Sequence, residues 1–292
     1  MAGRTCQAWR TCCTCCPGWG TCIVGLRRYG RRHSLLKLLE TAMTAIFFDI
    51  ETIPSQAPGA REQARQSVRA PGTLRKAESI AAWHAEHGDE AAEELYKRQA
   101  LSPSDGEVCC VGFALDDADP VAVVRELNES EGDYLRRALA VVDEHLREAN
   151  RQADPLLQPW IDGAPVYPVG FNVLKFDLPF LRWRCWANRI ATPSWLPGPF
   201  ARAPRDLCDV MLLAAGPTGM MSLDKVCRAL GIASPKAEGV DGSQVLDLWR
   251  NSAHADLAAY CCADVAATRA CWHVMQGSFG AAEPAVAQEA TA

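Results

Sequence analysis

The ten residues Ala45-Ile46-Phe47-Phe48-Asp49-Ile50-Glu51-Thr52-Ile53-Pro54 constrain this chain more than any other stretch. The run opens on aromatic and branched apolar residues, the composition of a buried central strand. Two carboxylates, Asp49 and Glu51, stand in it two positions apart. Side chains at i and i+2 of a strand share a face, so both acids project together. Two acids on the buried face of a central strand are costly unless a cation compensates them. Hard divalent cations such as Mg²⁺ or Mn²⁺ favour oxygen donors of this kind. The bland alternative is a strand end where both acids are solvated and Pro54 turns the chain away. The run alone leaves both readings open.

At 292 residues the chain has room for one large domain or two small ones. It is 49% hydrophobic and 22% charged, without an apolar run long enough to span a membrane. The net charge of −5 hides an uneven split. Residues 1–42 hold seven Lys/Arg and a single acid, which leaves 23 basic and 34 acidic groups for the remainder. An acidic body argues against sequence-independent duplex binding through a broad basic face. It permits contact with phosphate through bound divalent ions, which reverse the local field.

Six of the 14 cysteines lie in the first 22 residues, with C-x-x-C spacings inside Cys12–Cys16. No His or distant Cys pair completes a tetrahedral set at finger-like spacing. The others are scattered through apolar segments as small hydrophobes, which fits a reducing compartment, the cytoplasm. Residues 1–42 show neither strand alternation nor a long helical period, and their Cys, Thr, Pro and Gly content interrupts any signal-peptide core. The expectation is that Met43 is the natural start and that residues 1–42 are a non-native or disordered extension. An organelle-targeting or metal-binding arm is the alternative.

Beyond the strand, residues 55–73 read as a loop rich in Pro, Gly, Gln, Ala and Arg. A helix follows over 74–99, with a break expected at Gly88. Strands are expected at Val108–Ala114 and Val121–Leu127, then an amphipathic helix over 131–150 with Leu135, Leu139, Val142 and Leu146 inward. Pro155–Pro165 reads as a loop, Val166–Phe171 as a strand and Asp177–Asn188 as a helix. A Pro-rich loop spans Thr192–Pro204. Asp206–Ala214 is apolar, and its Asp206 and Asp209 are read as structural. Ser222 should cap a helix over Leu223–Leu230 that closes at Gly231. After a polar loop, Ser234–Gly242, a long helix runs from about Ala255 to Gln276, and residues 277–292 read as a disordered tail. The order of strands and helices suggests an α/β domain with a mixed sheet.

Two more carboxylates join the first pair. Gly170-Phe171-Asn172-Val173-Leu174-Lys175-Phe176-Asp177-Leu178-Pro179-Phe180-Leu181 puts Asp177 at a helix start, where it could equally be a plain cap. Tyr260-Cys261-Cys262-Ala263-Asp264 puts a phenol and a carboxylate at i and i+4 of the last helix, on one face. Four acids from a strand, a helix start and a terminal helix resemble the DEDD superfamily of 3′–5′ exonucleases. The tyrosine four before Asp264 is similar to its tyrosine (DEDDy) branch; the histidine branch has His five before, where this chain has Ala259. Phe47 to Thr52, Asn172 to Leu181, Ser222-Leu223-Asp224, Asp241 to Val245 and Tyr260 to Asp264 resemble, in order and spacing, the predicted exonucleases related to the proofreading domain of DNA polymerase B. The likeness covers residues 43–276, with 55–107 as a loop and helical insertion.

That resemblance implies an α/β, ribonuclease-H-like mixed sheet flanked by helices. It implies two Mg²⁺ (or Mn²⁺) ions held by Asp49, Glu51, Asp177 and Asp264, with Asp49 bridging both and Tyr260 orienting the attacking water. Thr52 and Ile53 would meet the terminal nucleotide, and Asn172 would fix the turn before Asp177 and reach the substrate. The implied activity is two-metal-ion 3′–5′ hydrolysis of single-stranded DNA from a free 3′ end, with DNA favoured over RNA and a polymerase or replication and repair partner. An exoribonuclease of the same chemistry and a non-catalytic nucleic-acid-binding or polymerase-accessory domain are the alternatives. Lys236 is read as a solvated loop residue. Trp83, Trp183, Trp186 and Trp249 are candidates for base stacking, although their spacing reads as packing in most cases.

Overall fold

In the computed structural model, which describes residues 44–152, 166–235 and 242–280, the Ala45–Pro54 run is β1, the central strand of a five-stranded sheet. It is followed by β2 (Gly106–Leu115), β3 (Val121–Val124), β4 (Tyr167–Gly170) and β5 (Cys208–Asp209). The strand order is 3-2-1-4-5. β2 is antiparallel to β1 and β3, whereas β4 is parallel to β1 and β5 parallel to β4. This is the α/β, ribonuclease-H-like mixed sheet that the sequence suggested, and eight helices flank it among the described residues.

The helices are α1 (Ala60–Ser67), α2 (Ala77–Arg98), α3 (Glu131–Gln152) and α4 (Asp177–Ala187). They continue as α5 (Val210–Ala215), α6 (Leu223–Leu230), α7 (Val245–Arg250) and α8 (His254–Gly280). Period-two alternation in β1 divides the core. Ile46, Phe48 and Ile50 pack with α3 and α4, where Leu135, Leu139, Val142, Leu146, Leu178 and Leu181 are buried. Burying each such side chain is worth about 1.5–3 kcal/mol. Phe47 faces the other way, among α6 and α8 residues that include Val226, Val265 and Cys271. Asp49 and Glu51 share that second face.

Two local readings are corrected. The expected loop over 55–73 contains α1. Gly59, at φ 85°, starts the helix, and Ala60 and Ala64 bury one small-residue face beside Tyr96. The Arg61 guanidinium lies 4.6 Å from the Tyr96 ring centroid. A segment without an apolar period is helical here because its partner supplies the contacts. Nor does Gly88 break α2, which runs on for 22 residues; an interior Gly costs only about 1 kcal/mol against Ala. Asp206–Ala214 divides into the two residues of β5 and the helix α5, whose first turn is capped by Asp209.

Ser222 and Gly231 bracket α6 as expected, with Ser222 Oγ accepting from Lys225 N–H and Gly231 in the left-handed region. α8 extends past Gln276 to Gly280. The readings placed on residues 1–42, the Pro155–Pro165 loop, Lys236 and residues 281–292 lie outside the described residues.

Candidate active site

The position of α8 over the sheet depends on one glycine. Gly112 of β2 stands opposite Asp49 of β1 in the strand register. A Cβ at Gly112 would lie 2.5 Å from Cys261 Sγ and 3.4 Å from Val265 Cγ2. With only hydrogen there, α8 settles onto the sheet beside Asp49, and Tyr260, Cys261 and Asp264 come to β1. Gly112→Ala is therefore expected to displace α8 and to lower the rate of any reaction at this site at least about tenfold, because small misplacements of reacting groups are costly. The double variant Gly112→Ala/Cys261→Ala, which removes the clashing sulfur, should recover much of that loss. Matched rates for the single and double variants would count against this packing argument.

The four acids come from three directions. Glu51 is 8% exposed and Asp177 3% exposed, whereas Asp49, Tyr260 and Asp264 are partly exposed. Asp177 is the first residue of α4, but its carboxylate turns to the sheet, where Oδ1 accepts from Ile50 N–H at 3.1 Å. The charges of Asp177, Glu51 and Asp264 all bear on Asp49.

Burial is the main cause that raises Asp49 well above the usual carboxylate range, followed by Asp177, Glu51 and Asp264. Glu51 is raised as well, first by burial and then by Asp264. Asp177 is pushed up to about 7 by burial, against the bonds from Ile50 N–H and its own backbone. The neighbouring charges that bear most on Asp49 and Glu51 are other acids and a thiol. The buried guanidinium groups are committed elsewhere, Arg125 to Glu107 and Arg182 to the Pro197 carbonyl. A group of oxygen donors held together against its own like charges suits one or more hard divalent ions.

Tyr260 reaches the same place. Its phenol is hydrogen-bonded to the Asp264 carboxylate, and burial with the charges of Glu51, Asp264 and Asp49 raises its pKa well above 10. It stays protonated at neutral pH.

The remaining sequence candidates make these contacts within the protein. Thr52 follows a register shift in β1, and its hydroxyl donates to Ala100 O at 2.6 Å. Ile53 is fully buried in a core cluster with Tyr96 and Trp249, so its side chain is closed to a ligand. Asn172 takes φ 59°, a left-handed conformation that Asn tolerates. Its side chain does not hold the turn; Oδ1 is buried without a partner. Asp209 does, accepting from Asn172 N–H and Leu174 N–H at 3.1 Å each. Trp249 is buried as expected, but Trp183 and Trp186 are 46% and 54% exposed.

Sequence reading missed Cys261. Its sulfur lies 3.8 Å from Asp49 Oδ2, and donor atoms of Asp49, Glu51 and Cys261 all fall within 4.8 Å of one another. The available signal was its place directly after Tyr260, on the helix face that meets β1.

Fold and site together define a nuclease-like domain with an acidic centre. Residues 144–291, just over half of the chain, match the family described as predicted 3′–5′ exonucleases related to the exonuclease domain of PolB, and the chain belongs to that family. The matched span holds Asp177, Tyr260 and Asp264; β1 lies before it. Among solved structures, the chain is similar to the family B DNA polymerase from the hyperthermophilic archaeon Pyrobaculum calidifontis. That likeness has 16% identity and a TM-score of 0.45, covering 81% of this chain and 24% of the polymerase, so the chain spans about a quarter of that protein's length. No curated protein matches the chain. Among the described residues, no helix is long and apolar enough to cross a membrane.

Proposed function

We propose that this protein is a metal-dependent 3′–5′ exonuclease that removes nucleotides from the 3′ end of single-stranded DNA. The observation that carries the reading is the convergence of Asp49, Glu51, Asp177 and Asp264, whose like charges bear on one another, in a chain of a 3′–5′ exonuclease family. Asp49, Glu51, Asp177 and Asp264 would hold two Mg²⁺ or Mn²⁺ ions. Bound there, divalent ions would neutralise charge on the phosphate and lower the pKa of the attacking water.

The chain's own groups divide the remaining work. Tyr260, protonated at neutral pH, is suited to orient water by hydrogen bonding and poorly suited to act as a base. Asp209 fixes the turn that delivers Asp177. Thr52, committed to Ala100 O, and Ile53, buried, are assigned to shaping the end of β1, with substrate contact through the backbone. Asn172, with its buried and unpartnered Oδ1, stays a candidate for substrate contact. The eight cysteines among the described residues are free thiols, which suits a reducing cytoplasm. The domain is assigned to residues 43–276, with a replication or repair enzyme as its partner class.

The test uses DNA and RNA strands of one sequence, labelled at either end, with Mg²⁺, Mn²⁺ or excess chelator. A strand labelled at its 5′ end should shorten stepwise, a 3′ label should leave as mononucleotide in the first turnover, and chelator should stop both. Faster degradation of RNA would replace DNA with the exoribonuclease reading. Robust hydrolysis after exhaustive chelation would overturn metal dependence, and strand binding without hydrolysis would favour an accessory domain.

A further inference from the structure

The oxygen donors explain a hard ion, but the site has a soft donor as well. Cys261 is fully buried, and its Sγ lies against both the backbone O and Oδ2 of Asp49, at 3.9 and 3.8 Å. Its donor atom joins those of Asp49 and Glu51 within 4.8 Å. Glu51 supplies a second and independent observation. It is more than nine-tenths buried on the face that meets α8, and among the described residues it has neither a hydrogen-bond partner nor an ion pair. Two carboxylates and a thiol converging from a strand and a helix make a mixed oxygen and sulfur set. Mg²⁺ avoids thiolate, whereas Zn²⁺, Co²⁺ and Cd²⁺ accept it readily.

We propose that Asp49, Glu51 and Cys261 form a second mode of metal binding, in which a thiophilic divalent ion such as Zn²⁺ takes the site and blocks the hard-ion enzyme. The proposal rests on the exonuclease reading for its consequence, inhibition, but not for the binding itself. As the metal–sulfur bond forms, the Cys261 thiol loses its proton to solvent; nothing is oxidised or reduced. A tightly held ion bound to sulfur would stand where Asp49 is needed by Mg²⁺ or Mn²⁺, so zinc would inhibit by occupation.

The probe is Co²⁺ added to the metal-free full-length protein, read by its near-ultraviolet thiolate-to-cobalt absorption. The other cysteines set a background, so the informative quantity is the component lost on substitution. Cys261→Ser and Asp49→Asn attack the set from its two elements, and both should remove the same component while circular dichroism shows both folded. Asp49→Asn keeps the thiol, so the test survives if Cys261→Ser fails to fold.

A second arm measures zinc inhibition of Mn²⁺-supported hydrolysis. Cys261→Ser, scored against its own uninhibited rate, should need about tenfold more Zn²⁺ or beyond for half inhibition. A cobalt spectrum identical in wild type and both variants would overturn the mixed site. If the cobalt component appears and no hydrolysis is found with any metal, the site stands and the exonuclease reading fails. Unchanged zinc sensitivity in an active Cys261→Ser variant would overturn the inhibitory role.

Discussion

Asp49→Asn is expected to abolish hydrolysis and to raise the melting temperature of the metal-free protein. Asp49 is held in the fold among Asp177, Glu51 and Asp264, and burial with these charges raises its pKa well above the ordinary value. Ionising it there works against folding. Removing that charge should raise Tm by at least about 2–4 °C, the shift that corresponds to 1 kcal/mol in a domain of this size.

The pH dependence has a definite sign. Asp49, Glu51 and Asp177 have folded pKa values above their unfolded values of about 4. Between those limits the folded state binds more protons than the unfolded chain, so stability of the metal-free protein falls as pH rises. For Asp177 the window runs from about 4 to about 7. Calorimetry in chelator should therefore find a higher Tm at the acid side of that window, a smaller trend in Asp49→Asn, and a trend largely cancelled by Mn²⁺. Loss of stability in metal-free Asp49→Asn, with no pH trend in the parent, would contradict a strained acidic site.

The second large effect separates Tyr260 from Asp264. The phenol is hydrogen-bonded to Asp264 and stays protonated, so it is suited to positioning water and not to binding metal. Positioning and acid–base contributions run about 10²–10⁴-fold. Tyr260→Phe should slow single-turnover hydrolysis by that order and leave its Mn²⁺ dependence nearly unchanged. Asp264→Ala, one helical turn on, should weaken Mn²⁺ dependence together with rate. The same shift in metal dependence for both variants, or no effect of Tyr260→Phe on rate, would mean that the tyrosine does not position the water.

Much of this was legible because strand and helix periods are geometric. Asp49 and Glu51 share a face of β1 by strict alternation, and Tyr260 and Asp264 share one by helical spacing. The inner face of α3 and both ends of α6 follow from the same rules. What escaped depends on contacts between distant segments. α1 has no apolar period of its own and takes its burial from Tyr96. Asp209 holds the turn before Asp177 across 37 and 35 residues of sequence. Gly112 and Cys261 are ordinary residues until β2 and α8 are stacked, when the missing side chain of one makes room for the sulfur of the other. Asn172 closes the turn as expected, its carbonyl accepting from Lys175 N–H and Phe176 N–H, but its partner Asp209 was not foreseen, because a turn asparagine is visible in sequence and a distant acceptor is not.

The most direct test of the acidic site is Mn²⁺ uptake followed by loss of the free-ion paramagnetic resonance signal, in the presence of a single-stranded oligonucleotide with a non-hydrolysable 3′-terminal linkage. The wild-type chain should take up about two ions, as a two-metal site requires. Asp49→Asn should lose both or nearly so, and Glu51→Gln or Asp264→Asn at least one. Equal uptake by the parent and all three variants would contradict the central claim that these carboxylates are where the metal and the chemistry reside.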